Sequence, residues 1–127
     1  ITQPKKATIT FTSWLKDVDE VYAGSDVVAL TSLNEGTPVS IIEALAANKP
    51  IVSTRVGGVS DLIEEGKNGL IVSSNDLVAF TNALNLLIEN IELRNAMGNG
   101  TNSDAQLKYS YQRLMLDMNS LYNRLLQ

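Results

Sequence analysis

Apolar runs of strand length alternate along the chain with helical patterns, a rhythm that predicts parallel strands joined by helices. Ala7 to Phe11 alternates with threonines and reads as a strand. A short helix follows over Asp17 to Ala23, acidic in its first turn and ending at Gly24. Within Asp26 to Thr31, the residues Val27, Val28, Ala29 and Leu30 form a continuous apolar run, the pattern of a central strand buried on both faces. Thr37 and Pro38 predict the start of the next helix, with Thr as N-cap and Pro at the first helical position, where a missing amide costs nothing. That helix is expected to run to about Asn48. Pro50 to Ser53 reads as a third strand, Gly57-Gly58 as a turn into a short helix around Ser60 to Glu64, and Gly69 to Val72 as a fourth strand.

Behind Asp76, the residues Leu77, Phe80, Leu84, Leu87 and Ile91 recur at helical spacing, and a further short helix over Ile91 to Met97 is expected to stop at Gly98. From about Asp104 the stripe Leu107, Tyr111, Leu114, Met118, Leu121 and Leu125 predicts a helix that docks on the rest of the fold. No repeat, low-complexity tract or linker divides the chain. One α/β unit over residues 1–127 is predicted, its C-terminal helices running from about 76 to 127.

Composition narrows the function classes. Hydrophobic residues make up 44% of the 127 and charged residues 19%, a globular balance. The net charge of −4 argues against a nucleic-acid partner or an anionic membrane surface, which recruit excess Lys and Arg. Cys and His are both absent, which removes disulfides, the usual zinc ligands and imidazole as a general base. No apolar stretch approaches the length of a bilayer span, so a cytoplasmic location is the default. The chain starts at Ile1 without Met, and the expectation is a piece of a longer protein.

The chemically informative stretch runs from Ser32 to Ala47, at the carboxyl end of the Asp26 to Thr31 strand, where open parallel sheets bind ligands. Gly36 permits close backbone approach, and the free amides of the helix that follows offer partial positive charge to a diphosphate. Glu35 falls in the loop before that helix, and Glu43 about two turns inside it among Ile41, Ile42, Ala44, Leu45 and Ala46. A carboxylate in such company needs hydrogen-bond donors. Sugar or ribose hydroxyls, a buried Arg or backbone amides would each serve, and an exposed stripe would remove the need. Gly57-Gly58 reads as a strand-to-helix turn or as a phosphate contact, and Trp14 as a packing residue or a stacking platform for a base. Arg55 reads as paired with a neighbouring acid or as a phosphate ligand, and Asp61 as a local capping residue or a functional one.

Several motifs occur in order: Trp14-Leu15-Lys16-Asp17-Val18, Tyr22-Ala23-Gly24-Ser25-Asp26-Val27, the Glu-x7-Glu pair Glu35 and Glu43, and Glu43-Ala44-Leu45-Ala46-Ala47-Asn48-Lys49-Pro50-Ile51-Val52. They continue through Val56-Gly57-Gly58-Val59 and Gly66-Lys67-Asn68-Gly69-Leu70-Ile71-Val72. This set resembles the second domain of the retaining two-domain glycosyltransferases of family 4. The resemblance implies a Rossmann-like parallel sheet with flanking helices, forming part of the C-terminal, nucleotide-sugar-binding domain of a GT-B enzyme.

What the resemblance implies for the site is specific. Glu35 is the candidate catalytic-site residue, reaching hydroxyls of the donor sugar, and Glu43 accepts hydrogen bonds from the ribose. Neither is assigned as a covalent nucleophile. The amides of Gly36, Thr37 and Val39 lie near the phosphates or sugar, and Ser13 to Leu15 near the base. No metal or other cofactor is implied, and the partners are a nucleotide-diphosphate sugar and a hydroxyl acceptor of unknown identity. Relatives of this kind place two further strand-helix units before this region, carrying an Arg and a Lys against the diphosphate, and a whole acceptor domain before those. Lys5 and Lys6 do not match that basic pair. The expectation is therefore a fragment, inactive in isolation, whose sheet is completed by the rest of its polypeptide or by another copy, in the cytoplasm or at a membrane periphery. Two other readings are a nucleotide-sugar-binding module without transfer and an inert Rossmann-like fragment.

Overall fold

The computed structural model describes residues 7–126, so Lys5 and Lys6 lie outside it. Three strands, β1 (Val28–Leu30), β2 (Ile51–Thr54) and β3 (Gly69–Val72), form a parallel sheet in the order β1-β2-β3. Seven helices accompany them among the described residues: α1 (Val18–Gly24), α2 (Val39–Ala46), α3 (Val59–Leu62), α4 (Leu77–Glu89), α5 (Ile91–Gly98), α6 (Thr101–Tyr109) and α7 (Tyr111–Leu125).

Register explains the layering. Val28 pairs with Ile51 and Ile51 with Gly69, while Ala29 pairs with Val52 and Val52 with Leu70. Because side chains alternate along a strand, these rows point to opposite faces. Val28, Leu30, Ile51 and Ile71 join Ile41, Ala44, Leu45, Val59, Leu62 and Ala105 in one cluster beneath α2, α3 and α6. Val52 and Leu70 join Leu87, Met97, Phe80, Leu84 and Leu93 in another beneath α4 and α5. A doubly covered sheet follows, and every residue of β2 is buried.

Four expectations need correction. Ala7 to Phe11 forms no strand: strand propensity is realised only beside a neighbouring ladder, and this segment has none, leaving Ile9 and Phe11 exposed. The strand expected to be central, β1, is an edge strand with Ala29 exposed, and the central position belongs to β2. Pro38, not Thr37, is the N-cap of α2; Thr37 is exposed and no side chain caps the helix. The C-terminal stripe is split at Ser110, whose hydroxyl caps α7, and α7 buries none of its residues, so its apolar face does not dock.

Elsewhere local side-chain chemistry closes the elements. Asp76 accepts from the Ala79 amide and Asn90 from the Leu93 amide, capping α4 and α5. Asn68 is buried but satisfied, accepting from the Glu64 amide and donating to the Leu62 carbonyl. Its amide group thereby locks the turn into β3.

Candidate functional site

The carboxyl ends of β1 and β2 feed two loops that are tied together. The Thr54 hydroxyl donates to the Ser32 carbonyl at 2.5 Å, and the Gly58 amide donates to the Gly36 carbonyl at 2.8 Å. Gly57 has a φ of +48°, a left-handed conformation, and a Cβ there would overlap the Glu35 carbonyl oxygen. On Gly58 a Cβ would come within 2.5 Å of the Gly36 carbonyl oxygen. The glycine pair is thus required for one loop to lie against the other.

This packing holds Glu35 in place. Its carboxylate accepts from the Ser32 hydroxyl at 2.6 Å, a short charge-assisted bond that fixes the side chain against its own loop. Gly36 and Thr37, which follow, are exposed, and around Gly36 the position of a Cβ is open space. Pro38 then turns the chain into α2. It cannot cap through its side chain, and the first backbone bond into the helix is from the Ile41 amide to the Pro38 carbonyl. The amides of Gly36, Thr37, Val39 and Ser40 have no protein acceptor among the described residues. Four amides without a protein acceptor thus occur at and just before the start of α2, where the helix dipole is positive.

Glu43 lies just over one turn into α2, nearer its start than the sequence suggested, because the helix begins at Val39. It is half-buried, and its donor comes from α1: the Tyr22 hydroxyl lies 3.1 Å from Glu43 Oε2 and 3.2 Å from the Ser40 carbonyl oxygen. Burial, together with the bond to the Glu43 carboxylate and its charge, pushes the Tyr22 phenol up to about 12. Glu43 and Tyr22 line a cleft of about 480 Å³ between α1 and α2, with Val18, Asp19, Ala46 and Lys49. Lys49 is engaged at the end of α1, donating to the Ala23 carbonyl.

The structure therefore engages the two motif acids separately, Glu35 through Ser32 and Glu43 through Tyr22. Between them run the exposed Gly36, Thr37 and Val39. Ser32 lies in the informative stretch and Tyr22 in a quoted motif, but neither they nor Thr54 were read as anchors: Ser32 acts on Glu35 within its own loop, while Thr54 and Tyr22 act on another loop and another helix. Arg55 lies 3.9 Å from Glu65, a pair of exposed side chains, in keeping with its reading as a surface ion pair. Trp14 is 81% exposed and so is not a packing residue of this fold. Asp61 sits exposed in the first turn of α3, which has no side-chain cap. No helix of the described residues is long and apolar enough to cross a membrane.

Comparison with known proteins places this geometry in context. The glycosyl transferases group 1 family profile matches residues 3–104. D-inositol 3-phosphate glycosyltransferase of Corynebacterium jeikeium is 37% identical over 105 residues, covering 83% of this chain and 25% of that protein. Sucrose-phosphate synthase from Thermosynechococcus elongatus superposes with a TM-score of 0.79 at 24% identity, over 86% of this chain and 27% of that one. Anabaena Alr3699/HepE in complex with UDP gives 0.75 at 25% identity, over 84% and 30%. The chain spans about a quarter of the length of the curated relatives it matches.

Proposed function

The chain belongs to the glycosyl transferases group 1 family, and from that premise we propose that it is the donor-binding part of a retaining family 4 glycosyltransferase with two Rossmann-like domains. In this reading the parent protein moves a sugar from a nucleotide-diphosphate donor to a hydroxyl acceptor. The anomeric carbon–oxygen bond breaks, the nucleoside diphosphate leaves with the bonding electrons, and the acceptor oxygen takes its place on the same face, its hydroxyl proton passing to the departing diphosphate.

The observation that carries the reading is the start of α2. Amides of Gly36, Thr37, Val39 and Ser40 without protein acceptors stand between two hydroxyl-anchored carboxylates, at the carboxyl edge of a parallel sheet. Negative charge developing on a leaving diphosphate is stabilised by such preorganised donors. Glu35 serves the sugar hydroxyls and Glu43 the ribose diol, each as a hydrogen-bond acceptor. The UDP bound to Anabaena Alr3699/HepE supports a nucleotide as the ligand class. The basic groups that complete leaving-group stabilisation, and the acceptor domain, belong in this reading to other parts of a longer, cytoplasmic polypeptide. The chain alone is then inactive.

The test is donor turnover by the full-length protein carrying Glu35→Ala or Glu43→Ala. Each is expected to lower kcat/KM by about tenfold or more, the worth of hydrogen bonds to a charged group. Unchanged donor affinity and rate in both variants would defeat the assignment.

A further inference from the structure

We propose that Tyr22 is a positioning residue for the nucleotide site, its hydroxyl fixing one oxygen of the Glu43 carboxylate so that the other serves a ribose hydroxyl. This rests on the reading of Glu43 given above.

The geometry is that of a brace between helices. Ser40 and Glu43 lie three residues apart on α2 and so stack on one face, and the phenol of α1 reaches both, at 3.2 Å to the Ser40 carbonyl and 3.1 Å to Glu43 Oε2. Tyr22 packs with its ring against the cluster that contains Ile41, Ala44 and Leu45, which leaves the hydroxyl little freedom. A glutamate side chain has three torsions, and ordering them only when a ligand arrives costs affinity. The Tyr22 hydroxyl settles that order in the free protein.

No alternative anchor is at hand. Among the described residues no Lys or Arg forms an ion pair with Glu43, and Lys49, which lines the same cleft, is turned to the Ala23 carbonyl. A single hydroxyl takes up one of the roughly four lone-pair sites of an ionised carboxylate and leaves Oε1 available as an acceptor. A cation there would instead compete with the ligand for the carboxylate. The raised phenol, about 12, keeps the hydroxyl a donor throughout the neutral range.

The experiment is calorimetric titration of UDP, GDP and ADP into the full-length protein, as wild type, Tyr22→Phe, Glu43→Gln and the double variant. For the nucleotide that binds tightest, Tyr22→Phe is expected to weaken binding about tenfold, Glu43→Gln at least as much, and the double variant no more than Glu43→Gln alone. Wild-type affinity in Tyr22→Phe, or additive losses in the double variant, overturns the proposal while leaving the Glu43 reading intact if Glu43→Gln is still weak. Wild-type affinity in Glu43→Gln, or no nucleotide binding by the wild type, overturns both.

Should Tyr22→Phe fail to fold, 3,5-difluorotyrosine at position 22 keeps the shape and lowers the phenol's pKa. Glu43, Asp19 and Lys49 are the charged groups lining that cleft, and a phenolate facing Glu43 repels the carboxylate it had held. Nucleotide affinity is then expected to fall with rising pH earlier than in wild type. Superimposable pH profiles overturn the proposal.

Discussion

Two glycines in adjoining loops have opposite constraints, and the difference is measurable. At Gly57 the backbone is left-handed and a Cβ would run into the Glu35 carbonyl oxygen, whereas at Gly36 a Cβ meets nothing within 4 Å. Gly57→Ala is therefore expected to lower unfolding free energy by about 3 kcal/mol in urea titration, and Gly36→Ala by less than about 1 kcal/mol. In the functional reading Gly36→Ala nonetheless weakens nucleotide-sugar binding, because the open space is where the ligand's backbone approach occurs. Equal destabilisation by the two substitutions would contradict this assignment of roles. Tyr22 supplies a pH test at the same scale. Its folded pKa, about 12, lies above the ordinary phenol value of 10.0, so between those values the folded state holds a proton that the unfolded state has lost. Stability from this group is full below pH 10 and falls as pH rises to 12. A loss of order 1 kcal/mol is expected, since solvent screens a half-buried pair. The difference between wild type and Tyr22→Phe across that window isolates the contribution of the phenol. Glu35, Gly36 and Glu43 stood out in the sequence by spacing and motif, but the anchor of Glu43 did not, because Tyr22 reaches it only once α1 and α2 are brought together. The Ser32 bond to Glu35 is local, yet a serine three residues before a loop glutamate carries no distinctive pattern.

At the scale of elements, α2 ends in a junction that no local pattern announces. The Thr101 hydroxyl shares its one proton between the Leu45 and Gly98 carbonyls, the Asn102 side chain donates to the Ala46 carbonyl, and the Asn48 side chain accepts from the Asn102 amide. Residues 56 apart in sequence thus satisfy the orphan carbonyls at the end of the helix whose start carries the candidate site. Gly98 fits against the Asn48 carbonyl with no room for a Cβ. Thr101→Val keeps the volume and removes the donor, and about 1–2 kcal/mol of stability is expected to go with it. The stripe expected from about Asp104 does not mark the start of α6, while local signals of spacing and helix start made α2, α4 and α5 legible. The docking of α6 on α2 was not, and the same limit explains α7: its apolar stripe has helical spacing, yet the face remains exposed, with Leu125 at 72%. A stop after Ser110 is accordingly expected to leave the urea midpoint almost unchanged, within about 0.5 kcal/mol of stability. A larger loss would show that α7 does pack against the body in solution.

Over the whole molecule the two edges of the sheet differ in finish. The outer side of β3 is closed by the chain itself: Glu65 accepts from the Ile71 amide at 2.9 Å, and the Gly66 amide donates to the Gly69 carbonyl. On β1 the Val28 amide bonds inward to the Pro50 carbonyl, so by alternation the Ala29 amide points away from β2, and Ala29 is exposed. The continuous apolar run at Val27 to Leu30 predicted a strand covered on both sides, and the α/β alternation was correct, but lateral neighbours are a property of the assembled sheet and not of the run. Under the proposal that this chain is part of a larger donor-binding domain, a further strand is expected to pair with β1. Amide exchange decides the matter. In the chain alone at low concentration Ala29 should exchange at nearly the unprotected rate, while Val52, in the central strand, approaches the protection set by global unfolding. In the full-length protein Ala29 should slow by about a hundredfold or more. Rapid exchange in both forms would mean that the sheet ends at β1, and slowing in the isolated chain only as its concentration rises would identify a second copy as the partner of that edge.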